Sequence, residues 1–165
     1  MKTTLPAQLA NVVNASVTMF FHSVQLIKDR AQGQVSDGVD TDKGVMLESS
    51  ADFDPHLDLV HLARQCLGDH ELEAELLGLF RLQAPALMAL LSGSPLLPSE
   101  SKAKLAHTLR GSALAVGARR VASAAWRIEE LASASGDQGS AEARAIAALS
   151  SAVTEALTEI DRIQG

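Results

Sequence analysis

Apolar residues return every three or four positions through most of this chain, the spacing that lays a stripe along one side of an α-helix. The first such stretch, residues 5–30, carries Leu9, Val12, Val13, Val17, Phe20, Phe21, Val24 and Ile27 and predicts one amphipathic helix. The pattern then fails. Residues 32–52 hold Gly33, Gly38, Gly44, Ser36, Ser49 and Ser50 among several aspartates, a polar and turn-rich text without periodicity. The chain therefore divides into an N-terminal amphipathic helix (1–31), a flexible linker (32–52) and a helical body (53–165).

Within the body, Pro55, Leu57, Leu59, Val60 and Leu62 predict a short helix that stops near Gly68. Asp69 is placed to N-cap the next helix, with Glu71 in its first turn and Leu72, Leu76, Phe80, Leu87 and Leu91 on its buried side. Pro85 is expected to kink it. A turn at 93–98 leads to a third helix, capped by Ser99 or Ser101 and reaching about Val116. Gly117 separates it from a fourth, about 118–134, whose core side is Val121, Ala125, Ile128 and Ala132. After a turn at 136–139, Ser140 caps a last helix carrying Ile146, Leu149, Val153, Leu157 and Ile160. Four long helices with short connections predict an all-α fold, an antiparallel four-helix bundle with an additional short helix and the N-terminal amphipathic helix.

Composition agrees and narrows the function. At 165 residues one core of ordinary size can form. Hydrophobic residues make up 47% but aromatics only 3%, so Leu, Ala, Val and Ile must fill that core, which favours helices over sheet. The formal charge of −6 has the wrong sign for neutralising nucleic-acid phosphates, so nucleic acid is not expected as a partner. A lone Cys66 excludes an internal disulfide, and a cytoplasmic setting follows. No apolar run is expected to span a bilayer, and residues 1–24, interrupted by Gln8, Asn11, Asn14 and His22, argue against a signal peptide despite Lys2.

Most histidines offer no chemistry. His56 and His61 are five apart, His70 opens a helix and His22 lies in the appendage, so none has the i, i+4 spacing of a helical metal site. Neither a phosphate-binding loop, a Glu-x-x-His di-iron pattern nor a nucleophile elbow is present. His107 differs. At ~100° per residue the third helix collects Leu105, Leu109, Ser112 and Val116 on one side and His107, Arg110, Gly111, Leu114 and Ala118 on the other. The histidine thus faces solvent. One turn on, Gly111 costs the helix about 1 kcal/mol relative to Ala, and its use there is access, a helix surface low enough for a partner to approach the imidazole. Arg110, on the same face, can present a positive fork to a phosphoryl group on the ring. Leu114, apolar on the exposed side, is a candidate docking contact with Gly111 and Ala118. Trp126 lies off the core stripe of its helix and fits either that surface or a contact with the N-terminal helix.

The run His107-Thr108-Leu109-Arg110-Gly111-Ser112-Ala113, followed by Gly117 and Ala118, resembles the signature of histidine-containing phosphotransfer (HPt) domains: His, two residues, Lys, Gly, and a second Gly ten positions after the His. Arg110 departs from the Lys but keeps its charge. The resemblance covers about 52–163, including Phe80, Gln83, Ala84, Pro85 and Leu87 on the first bundle helix, and leaves out the N-terminal helix and the linker. It implies a phosphocarrier rather than an enzyme, phosphorylated on His107, relaying phosphate to and from aspartates of response-regulator receiver domains, with a hybrid histidine kinase as a further partner. It implies that Glu129, twenty-two residues past His107, accepts a hydrogen bond from imidazole Nδ1. Such a bond would leave the lone pair on Nε2 for attack on phosphorus. It also implies that Mg²⁺ belongs to the receiver and that this chain needs no metal or cofactor of its own.

Three other readings compete. A dimeric sensor kinase is disfavoured because Thr108, not an acidic residue, follows the His and the chain has no room for an ATP-binding domain. A non-phosphorylated helical scaffold would bind a receiver domain through the Leu114 face. The segment 5–30 could serve as a homodimer helix or lie on a membrane surface, the latter weakened by its few basic residues.

Overall fold

The computed structural model describes residues 56–93, 97–134 and 139–165, together with Thr18, His22 and Gln25, which are helical and exposed. The remainder of the predicted N-terminal helix and the whole predicted linker lie outside the described residues. Five helices follow one another, with no strand among the described residues: α1 Leu59–Gln65, α2 His70–Gly93, α3 Ser99–Ala115, α4 Arg119–Ser133 and α5 Gly139–Gln164.

Local chemistry explains most of the boundaries. Asp58 caps α1 by accepting from the His61 backbone N–H at 2.9 Å. The helix closes as the sequence predicts, with Leu67 (φ 55°) and Gly68 (φ 76°) in left-handed conformation and Gly68 N–H returning to Ala63 C=O at 2.9 Å. Asp69 then caps α2, its Oδ1 accepting from the backbone of Glu71 (3.1 Å) and Leu72 (3.2 Å). The helix continues past Pro85 to Gly93. Two predicted caps are corrected. Pro98, not Ser99 or Ser101, precedes α3, because its carbonyl already accepts from Ser101 N–H (2.9 Å) and Lys102 N–H (3.1 Å) and draws both serines into the first turn. Likewise α5 starts at Gly139, which places Ser140 inside the helix.

The four long helices close a ring in which each packs on two neighbours, α2 on α3 and α5, α4 on α3 and α5, with the closest association between α3 and α4. Along the axis lie Leu76, Phe80, Leu87, Leu91, Leu109, Ile128, Leu149 and Ile160, all fully buried. Each such side chain contributes roughly 1.5–3 kcal/mol of burial. Ala84, Ala106, Ala113, Ala125 and Ala156 are also buried, and their small volume lets the backbones approach. Phe80 is the sole aromatic in this core among the described residues. The paired charge of Lys102 and Glu142 ties α3 to α5.

Helix α1 lies against α2 and buries Leu62 with the neighbouring Leu57 and Cys66, whereas Leu59 and Val60 turn outward. Of the apolar pattern that announced this helix, only part faces the core, because seven residues offer a single inward turn. Helix α2 is long and apolar enough to cross a membrane, which the sequence reading did not expect of any run, but half of its most apolar window is buried inside the bundle. That distribution is the one a central bundle helix requires.

Candidate functional site

The site is built on α3, whose two sides the bundle keeps apart. Leu109, Ser112 and Val116 are buried and Leu105 half-buried against the core, as the projection predicts. The buried Ser112 hydroxyl donates to Leu109 C=O at 3.0 Å, which satisfies it within its own helix. On the outer side His107 stands 67% exposed. Gly111 beside it is open, since a Cβ there would meet nothing within 4 Å, and Leu114, a turn later, is exposed.

Ala118 does not share that face. It is fully buried, and its assignment as a docking residue is corrected. The projection assumed a helix reaching that far, but α3 ends at Ala115, and Gly117 at φ +77° swings the chain so that Ala118 N–H bonds back to Ala113 C=O at 2.8 Å. Gly117 is needed twice over: an added Cβ would sit 2.6 Å from the backbone oxygen of Asp58. That close approach is held by Asp58 N–H donating to Gly117 C=O (3.0 Å) and by Arg119 donating to the Asp58 carboxylate (2.9 Å). His61, given no role from the sequence, donates from Nε2 to Leu114 C=O at 3.1 Å. It adds a side-chain donor to a carbonyl at the end of α3 that also accepts from Gly117 N–H at 3.2 Å. No sequence signal points to it, because the contact joins positions 53 residues apart.

Helix α4 brings Glu129 across to the histidine. Glu129 Oε2 lies 3.1 Å from His107 Nδ1. A carboxylate can only accept, so the proton belongs to Nδ1 and the lone pair to Nε2. The carboxylate is 20% exposed, and its other oxygen, Oε1, is shut off from water without an aligned hydrogen-bond donor. What faces Oε1 is the Arg110 guanidinium, with Nε at 3.0 Å. Arg110 also brings Nη2 to 3.4 Å from His107 Nδ1. The three residues therefore form one assembly in which Glu129 is central. Neighbours that might have claimed the acid are engaged elsewhere: Arg127 with Glu130 at 3.0 Å, and Lys102 with Glu142. Trp126, on the same helix, is exposed.

The remaining described histidines are surface contacts. His70 pairs with Glu73 at 3.2 Å, and His56 lies 3.3 Å from Glu155, which Arg120 also reaches at 2.6 Å. No group of three or more His, Cys, Asp or Glu side chains able to hold a metal ion occurs among the described residues. Cys66 is buried, and desolvation, aided by the charges of Glu73 and Asp69, pushes its thiol up to about 11. It is no nucleophile near neutral pH.

What the assembly can do is present one ring nitrogen as a nucleophile while the other is fixed from behind. In comparisons with known proteins, the family model described as Hpt domain matches residues 75–163, just over half of the chain. No curated protein and no solved structure matches it.

Proposed function

The chain belongs to the Hpt domain family, whose members carry phosphoryl groups on a histidine in phosphorelays, and from that premise we propose that His107 is the phosphate carrier. In this reading the Nε2 lone pair attacks the phosphorus of an aspartyl phosphate on a receiver domain. The N–P bond forms as the P–O bond to the aspartate breaks, and the Nδ1 proton stays where Glu129 holds it. The reverse step returns the group to a second receiver. One observation carries the proposal: an exposed imidazole whose Nδ1 is bound at 3.1 Å by a largely buried carboxylate. The ring becomes cationic when Nε2 is phosphorylated, and a carboxylate beside Nδ1 stabilises that form.

Positive charge comes from Arg110, which offsets the carboxylate as phosphoryl oxygens approach. Gly111 and Leu114 form the surface on which the receiver docks, open in the first case and apolar in the second. We assign Mg²⁺ and the acceptor aspartate to the receiver, no cofactor to this chain, a hybrid histidine kinase as a further partner, and the cytoplasm as the setting. The homodimer assigned to residues 5–30 is a separate proposal.

Incubation with a phosphorylated receiver domain tests the relay. Wild type should gain phosphate as the receiver loses it, and His107→Gln should gain none. Equal behaviour of the two proteins, with receiver binding intact, would replace the carrier by a non-phosphorylated scaffold.

A further inference from the structure

We infer that Arg110 acts through Glu129, as the residue that positions the carboxylate and thereby sets the tautomer of His107, rather than as an independent contact for phosphate. The inference rests on the reading of His107 as the carrier and extends it to a residue whose charge alone would suggest a direct phosphate contact.

Three distances carry the argument. Arg110 Nε lies 3.0 Å from Glu129 Oε1, Glu129 Oε2 lies 3.1 Å from His107 Nδ1, and Arg110 Nη2 lies 3.4 Å from the same Nδ1. Guanidinium and carboxylate therefore converge on one ring nitrogen with opposite demands. A carboxylate there requires a proton on Nδ1, whereas a guanidinium N–H requires a lone pair. Only the first arrangement leaves Nε2 nucleophilic. In the second the proton moves to Nε2 and the attacking lone pair is lost. Glu129 decides between them while its charge is kept, and its Oε1 is shut off from water with no aligned donor, so the arginine is the group that makes a buried anion tolerable. Without Arg110 the carboxylate would turn toward water. Without Glu129 the same arginine would be free to donate to Nδ1 and favour the unreactive tautomer.

The consequence is a reversal of sign. Arg110 assists the reaction when Glu129 is present and hinders it, or does nothing, when Glu129 is absent. An arginine that touched the phosphoryl group directly would assist in both cases.

The test uses potassium phosphoramidate, which transfers its phosphoryl group to imidazole with ammonia as the leaving group and needs no receiver. Phosphate uptake is measured for wild type, Arg110→Ala, Glu129→Ala and the double variant, with nitrogen NMR of the His107 ring recording the fraction protonated on Nδ1. Arg110→Ala should slow uptake roughly tenfold, the size of a lost interaction with a charged group, and should lower the Nδ1-protonated fraction. Arg110→Lys, which keeps the charge but loses the planar fork, should fall between wild type and Arg110→Ala. In the Glu129→Ala background, removing Arg110 should cause no further loss, or a partial recovery. Equal slowing by Arg110→Ala in both backgrounds, or an unchanged tautomer in Arg110→Ala, overturns the inference. The two proposals fail separately. A wild type that takes no phosphate but shows the arginine-dependent tautomer sinks the relay and keeps the positioning role. A wild type phosphorylated on His107 whose rate and tautomer ignore Arg110 does the opposite.

Discussion

Gly111 and Cys66 separate what single residues do for the fold from what they do for the site. An Ala at 111 meets nothing and replaces a poor helix former inside α3, so Gly111→Ala should raise stability by about 1 kcal/mol in thermal denaturation. The same methyl stands on the surface proposed as the receiver's docking site. Transfer from a phosphorylated receiver should therefore slow several-fold while phosphorylation by phosphoramidate holds. Cys66 works in the opposite sense, entirely for the fold. Its thiol rises from an ordinary 9.0 to about 11 in the folded chain, so the unfolded chain gives up its proton first. The Cys66 contribution to stability should be flat below pH 9, fall between 9 and about 11 by roughly 2–3 kcal/mol, and level off above. Denaturant titrations of wild type and Cys66→Ala across that range check this, since the variant lacks this component of the slope. His107, Arg110 and Glu129 were all legible in the sequence, the first two from helical projection and the third through a family resemblance at a fixed offset. The ion pair between Arg110 and Glu129 was not. It depends on how far α3 and α4 approach, which no spacing within one helix encodes.

At the scale of elements, the corner between α3 and α4 is where function meets architecture. Its fixed points are Gly117 with positive φ, the Asp58 backbone against it, and His61 on the last turn of α3. Gly117→Ala combines a left-handed backbone with a Cβ 2.6 Å from the Asp58 oxygen, and should cost on the order of 2 kcal/mol or more. Hydrogen exchange should report the loss first in α1, whose N-terminus this corner anchors. Helix existence and the buried faces of α2, α4 and α5 were readable because apolar periodicity persisted for several turns. Caps were readable only where a side chain competes for the first N–H groups, as Asp69 does. At Pro98 a backbone carbonyl opens the helix, and nearby serines gave a false signal. Ala118 was misplaced for a related reason: projection treats a helix as endless, and Gly117 ends this one.

For the whole molecule, the bundle accounts for the site without residues 1–55. All three members of the His107 assembly, and the helices that carry them, lie between 99 and 133. A chain beginning at residue 52 should therefore keep the phosphoramidate rate of the full-length protein, and light scattering of both would register a dimer formed through residues 5–30 as a change from two chains per particle to one on truncation. The net charge of −6 fits association with a protein surface better than with nucleic acid. The receiver, by contrast, was never legible as a particular protein, because partner choice depends on the fine shape of a surface, which residue spacing does not encode.

The most direct measurement of the central claim is the chemical identity of the phosphate acquired from a radiolabelled receiver domain. A phosphate on imidazole is lost in acid and survives alkali. Such a label is expected, carried on Nε2 of His107 and absent from His107→Gln. A protein that acquires no label, or one whose label persists unchanged in His107→Gln, would contradict it.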